Sequence, residues 1–137
     1  MKVKDAMHRN VTWIEPATLL TDVAKKMREL DIGAIPVGEN DRLIGMITDR
    51  DLAIRAFNGH KDIKSLTARD VMTAGVVYCH DEDKLKDAVH LMEEKKVRRL
   101  PVIDSKKRMV GMLALGDLAH VSREMAGETL AAVSAHH

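Results

Sequence analysis

Two stretches of the chain carry apolar residues at helical spacing. Leu20, Val23, Ala24, Met27 and Leu30 share one face, and Leu85, Ala88, Val89 and Met92 share another. The opposite faces are charged (Lys25, Lys26, Arg28, Glu29; Glu93, Glu94, Lys95, Lys96) and read as solvated surface. Thr18 and Asp83 stand just ahead of these helices, where their side chains are expected to cap the first amides. The β-branched and aromatic runs Val11-Thr12-Trp13-Ile14 and Val76-Val77-Tyr78-Cys79 predict a short strand before each helix. After the helices come Ile35-Pro36-Val37 and Leu100-Pro101-Val102-Ile103. Proline has no amide donor, so each is expected at a strand start or sheet edge. Polar turns lead to strands over Leu43–Thr48 and Met109–Leu113, and short helices open at Asp49-Arg50-Asp51 and Gly116-Asp117. Each half reads β-α-β-β-α, an α+β class.

The same order appears twice because the sequence repeats. At an offset of 65, Asp5-Ala6-Met7 falls on Asp70-Val71-Met72, Leu20 on Leu85, Met27 on Met92 and Pro36-Val37 on Pro101-Val102. One residue is gained in the turn Asp104–Arg108; at an offset of 66, Gly45-Met46 meets Gly111-Met112 and Asp51-Leu52-Ala53 meets Asp117-Leu118-Ala119. A polar turn tolerates an insertion that would invert the faces of a strand. Two copies of roughly 60 residues bury little core separately and are expected to pack on each other.

Composition narrows the functional classes. The net charge of +1 gives no concentrated basic surface for nucleic acid or an anionic membrane. Aromatic residues are 2% of the chain, too few for stacking platforms, so the core falls to aliphatic residues and nine Met. Cys79 is the single cysteine, excluding an intrachain disulfide. Neither a leader pattern nor a membrane-length apolar run is visible, and a cytoplasmic setting is expected. His8, His60, His80, His90 and His120 lack paired ligand spacing, and no metal site is expected; only His8, which follows Met7, is placed to line a cleft. His136-His137 at the terminus is left out of the fold reading.

Candidate chemistry gathers where strands give way to helices. In Gly45-x-x-Thr48-x-x-Asp51 the hydroxyl and carboxylate sit one turn apart. A carboxylate suits a ribose diol, and free amides at a helix start suit phosphate. The same pair would also serve simply as a helix cap. The second copy keeps Asp117 but has Ala114 for the hydroxyl, predicting two unequal sites with the Thr48/Asp51 site the better. Arg98 and Arg99 offer planar recognition of phosphate, although neighbours on a strand face opposite ways. Arg50 and Arg55 are further phosphate candidates. Ile32-Gly33-Ala34-Ile35-Pro36 would let a flat base approach the backbone; Gly33 would equally serve as a left-handed helix cap.

The Asp-x-Met pair, the apolar-Pro-Val strands and Gly45–Asp51 with its partner Gly111–Asp117 together resemble the CBS-domain family over about residues 1–123. Lys96–Pro101 also resembles the phosphate-gripping segment of the gamma subunit of AMP-activated protein kinase, with Arg98 where that protein has His. The resemblance implies tandem CBS domains (a Bateman module), two pseudo-symmetric repeats packed through their sheets: CBS domain 1 over 1–57, a linker over 58–67, CBS domain 2 over 68–123 and a tail over 124–137 that either forms a helix or frays. It implies a sensor, not an enzyme, that requires no cofactor and takes AMP, ADP, ATP, NAD or S-adenosylmethionine as a regulatory ligand. A homodimer and an unidentified regulated protein are the implied partners, with no nucleic acid or membrane. The implied nucleotide-binding residues are Thr12, Ile32, Gly33, Ala34, Ile35, Pro36, Thr48, Arg50 and Asp51 in the first copy, and Val77, Val97, Arg98, Arg99, Pro101, Ala114 and Asp117 in the second. The competing expectation is a ligand-independent protein–protein interaction module with vestigial clefts. For catalysis the chain shows no nucleophile–base pair and no phosphate-binding loop.

Overall fold

The computed structural model describes residues 1–59, 62–121 and 123–134, with backbone alone at 123–126. His60 and the His136-His137 pair lie outside the described residues. The chain forms two compact units: Thr12–Val76, and Met1–Val11 together with Val77–His137. Each unit therefore contains one repeat's helix and hairpin and the Asp-x-Met segment of the other repeat.

In the Thr12–Val76 unit, helix α2 (Leu20–Leu30) packs against a hairpin of β1 (Ala34–Glu39) and β2 (Arg42–Thr48), followed by α3 (Asp49–Arg55), a 3-10 turn (Ile63–Ser65) and α4 (Ala68–Val71). Asn40 and Asp41, at φ 54 and 65, close the hairpin with the left-handed pair that a two-residue turn requires. The core joins Leu20, Val23 and Met27 to Ile35, Val37 and Ile47, and to Ala68 and Val71 of α4.

The other unit repeats this plan. Helix α1 (Val3–Ala6) joins β3 (Cys79–His80), α5 (Leu85–Lys95), the hairpin β4 (Arg99–Ile103) and β5 (Met109–Ala114), and α6 (Leu115–Ala119). Val3 and Met7 lie in one cluster with Leu85, Val89, Met92, Leu100, Val102 and Leu113. The terminal α7 (Arg123–Ser134) is a docked helix: Val133 is fully buried, and Thr129 Oγ1 donates to Glu93 Oε1 at 3.2 Å.

The Asp-x-Met and Gly-Met motifs explain one another within each unit. Asp5 Oδ2 accepts from Lys2 N and Asp70 Oδ2 from Thr67 N, both at 2.8 Å, capping α1 and α4. The methionine that follows each helix lies on a strand glycine. A Cβ on Gly45 would come within 2.6 Å of Met72 Sδ, and one on Gly111 within 2.6 Å of Met7 Sδ. The bare strand lets the segment pair directly, Met46 with Thr73 and Met112 with His8.

Some expected elements shrink. The run Val11–Ile14 contributes a single parallel bridge, Ile14 with Val37, and Val76–Cys79 reaches strand geometry only at Cys79. Ile14 N donates to Pro36 O at 3.0 Å, so Pro36 turns its missing donor toward the incoming chain and stops the ladder there. Pro101, two residues before Ile103 whose carbonyl accepts from Asp81 N, does the same to β3. Thr18 and Asp83 do not cap the long helices, whose N-caps are Leu19 and Lys84 without side-chain bonds. Asp83 Oδ2 accepts instead from His80 N at 2.9 Å, and Ala68 N donates to the carbonyl of Thr18.

Candidate functional site

The two strand-to-helix junctions are built alike. β1 and β2 pair with Ala34 opposite Thr48, and β4 and β5 with Arg99 opposite Ala114. Asp49 N donates to Gly33 O at 2.9 Å, and Leu115 N to Arg98 O at 3.1 Å. Each hairpin thereby brings the segment after its long helix against the start of its short one. Gly33, Ala34, Thr48 and Asp51 gather in one unit; Arg98, Arg99, Ala114 and Asp117 gather in the other.

At the first junction Thr48 and Asp51 cap one another. Thr48 Oγ1 accepts from Asp51 N at 3.1 Å, and Asp51 Oδ2 accepts from Thr48 N at 2.9 Å. Asp51 Oδ1 lies 3.8 Å from Arg55 Nε. Arg55 is itself held to the end of α4, donating from Nη1 to the carbonyls of Val71 and Met72 at 3.3 and 3.2 Å. At the second junction Ala114 supplies no hydroxyl, and half of the box survives: Asp117 Oδ2 accepts from Ala114 N at 2.8 Å. The same oxygen is 3.0 Å from His8 Nδ1. Sequence reasoning placed His8 near a cleft but missed this partner, because 109 residues separate the two and no spacing rule spans that gap.

The remaining candidates divide by exposure. Ile35 is fully buried and paired with Ile47, and Pro36 is buried with its carbonyl accepting from Ile14 N. Pro101 is likewise buried, and Val77 and Val97 are half-buried against the core. Thr12 is half-buried, and Ile32 stands at the edge of exposure. Arg50, Arg98 and Arg99 are exposed. Gly33 is not the left-handed cap: Asp31 takes that conformation at φ 53, as Lys96 does at φ 56 in the other copy. A Cβ on Gly33 would meet Asp49 Oδ2 at 3.0 Å, so glycine there relieves crowding against the carboxylate.

A comparison with known families decides what this doubled junction belongs to. The CBS domain matches residues 3–57 and again residues 68–124. The chain belongs to the CBS-domain family.

The relatives of this CBS pair agree along nearly its whole length. It is 38% identical over 134 residues to the CBS domain-containing protein YhcV of Bacillus subtilis, covering 96% of this chain and 94% of that one. Hypoxic response protein 1 of Mycobacterium tuberculosis is 38% identical over 117 residues, covering 85% and 81% of the two chains. The crystal structure of Hypoxic Response Protein I, which holds two coordinated zinc ions, superposes with a TM-score of 0.78 at 36% identity over 88% of this chain and 98% of that one. The crystal structure of CBSX2 in complex with AMP superposes with a TM-score of 0.78 at 27% identity over 90% and 97%. Among the described residues of this CBS pair no group of three or more His, Cys, Asp or Glu could hold a metal ion. No helix among them is long and apolar enough to cross a membrane.

Proposed function

We propose that this CBS pair is a regulatory module that binds an adenine nucleotide at its strand-to-helix junctions. The observation that carries the reading is the Thr48–Asp51 junction beside Gly33 and Ala34. Its cap uses one carboxylate oxygen and leaves Asp51 Oδ1, which faces Arg55 Nε at 3.8 Å, and the Thr48 hydroxyl proton to meet a ribose. The AMP-bound CBSX2 structure lends support through its likeness in sequence and fold. Arg50, Arg98 and Arg99 supply an anionic preference, favouring AMP, ADP, ATP or NAD over S-adenosylmethionine. Exposed Ile54 and Phe57, on and just after α3, support a homodimer that reports cellular energy state to a protein partner.

The interaction-module reading has an observation of its own: the Thr48–Asp51 cap is complete without any ligand. A thermal-shift panel with AMP, ADP, ATP, NAD, S-adenosylmethionine and GTP separates the two, because a ligand that binds only the folded state raises the melting temperature with concentration. The variant Asp51→Asn keeps an acceptor for Thr48 N while removing the charge, and should lose most of the shift. If no adenosyl ligand shifts the wild-type protein, the clefts are scaffolding and the sensor reading fails.

A further inference from the structure

The two junctions differ in the basic side chain that faces the carboxylate. Arg55, permanently charged and tied to two backbone carbonyls, lies beside Asp51. His8 lies beside Asp117, its imidazole half exposed and the carboxylate 19% exposed. His8 is placed firmly, since its backbone exchanges hydrogen bonds with Met112, N to O and O to N, each at 3.0 Å. Its counterpart in the first unit is Thr73, bridged in the same way to Met46.

We infer that His8 is a specificity-determining residue of the second junction, taking over the polar role that Ala114 has lost and making anion binding there proton-linked. The inference rests on the nucleotide-binding reading above. With Nδ1 donating to Asp117 Oδ2, the imidazole has Nε2 left for a ligand. Protonated, Nε2–H donates to a phosphate oxygen as a charge-assisted bond; neutral in this tautomer, Nε2 only accepts and meets the phosphate as an unfavourable lone pair. Of the side chains, imidazole is the one whose change of charge serves as a switch in the ordinary range of pH. Asp117 on α6 is the charged group in contact with it and Arg9 is next in the chain; at the same junction Arg98 O accepts from Leu115 N and Arg99 of β4 is paired across from Ala114. The arginines keep their charge throughout. The first junction, with Arg55 in place of an imidazole, contributes no such switch.

The test is calorimetric titration of the full chain with AMP at pH 6 and pH 8, using adenosine as the uncharged control. His8→Gln and Asp117→Asn are compared with wild type, so that the titration of the AMP phosphate itself cancels. Relative to His8→Gln, wild type should gain roughly tenfold or more in AMP affinity on going from pH 8 to pH 6, the scale of one charge-assisted hydrogen bond. Adenosine should show no such difference, and AMP binding at pH 7 should take up more protons in wild type than in His8→Gln. Asp117→Asn retains an acceptor for Ala114 N and should also flatten the pH response. If His8→Gln binds AMP with the wild-type pH dependence and proton uptake, the role of His8 is overturned while the nucleotide-binding reading stands. If neither protein binds AMP or adenosine, the nucleotide-binding reading falls and takes this inference with it.

Discussion

Replacing Gly111 with alanine should destabilise the protein more than the equivalent change at Gly45, and the difference follows from one carbonyl. A Cβ at Gly111 would stand 2.6 Å from Met7 Sδ, 3.1 Å from Met7 Cγ and 2.9 Å from the carbonyl oxygen of His8. A Cβ at Gly45 meets Met72 Sδ at 2.6 Å and Cγ at 3.1 Å, but its carbonyl contact, Thr73 O, is at 3.1 Å. The thioethers are flexible ends that swing aside at modest cost. Both carbonyls are fixed, His8 O accepting from Met112 N and Thr73 O from Met46 N, each at 3.0 Å, but only the His8 oxygen lies so close to the new Cβ that it must move. Moving it forfeits about one backbone hydrogen bond, ~1 kcal/mol, in addition to overpacking of ~1–3 kcal/mol. The reduced freedom of the unfolded chain returns about 0.5 kcal/mol. The net expectation is a loss of about 2–3 kcal/mol for Gly111→Ala and about 1–2 kcal/mol for Gly45→Ala, read as urea unfolding midpoints at constant slope. The double variant Met7→Ala/Gly111→Ala should recover only the part due to sulfur, since the carbonyl contact remains. Gly111→Ala within 0.5 kcal/mol of wild type (about half of one such hydrogen bond), or less damaging than Gly45→Ala, would refute the reasoning.

Three further outcomes follow from the same structure. Gly38→Ala should displace the indole of Trp13, whose Cε3 and Cζ3 lie 2.0 Å from where the new Cβ would be, and the fluorescence of this sole tryptophan should shift to the red. Glu82 is held at about 2 by hydrogen bonds from Lys2 and then Lys4, so its contribution to stability is present above the ordinary glutamate range and is lost as pH falls from there toward about 2; Glu82→Gln should flatten acid unfolding across that window, and added salt should shrink the difference because all three groups are exposed. Burial, and secondarily the nearby charge of Asp83, pushes the Cys79 thiol up to about 12, so alkylation at pH 8 should be slow in the native protein and accelerate on addition of denaturant.

Much of this protein was written in its periodicities. The apolar stripes on α2 and α5, the hairpin strands and the single-residue insertion in the turn at Asp104 follow from local spacing, and the structure carries each of them. The doubled motifs identified the family, because Asp-x-Met and Gly-x-x-Thr-x-x-Asp are short patterns within one stretch of chain. Local rules failed by one position at the helix starts. Thr18 and Asp83 had the chemistry of caps, yet the N-caps are the next residues, Leu19 and Lys84, and the Asp83 carboxylate serves the turn at His80. The leading strands were cut short by Pro36 and Pro101, whose missing donors face them.

What the sequence by itself determined is the repeat, the order of elements, the apolar faces and the chemical types gathered at each junction. What only the tertiary structure decided is which copies of the motifs meet. Met7 lies on Gly111 rather than on Gly45, Met72 lies on Gly45, and His8 finds Asp117. The two copies of each motif are nearly alike, so pattern alone does not distinguish a contact within a repeat from one across the chain. That choice is made by packing: a segment of about six residues buries its apolar side only where a bare strand edge lies within reach, and the ladder pairs it there.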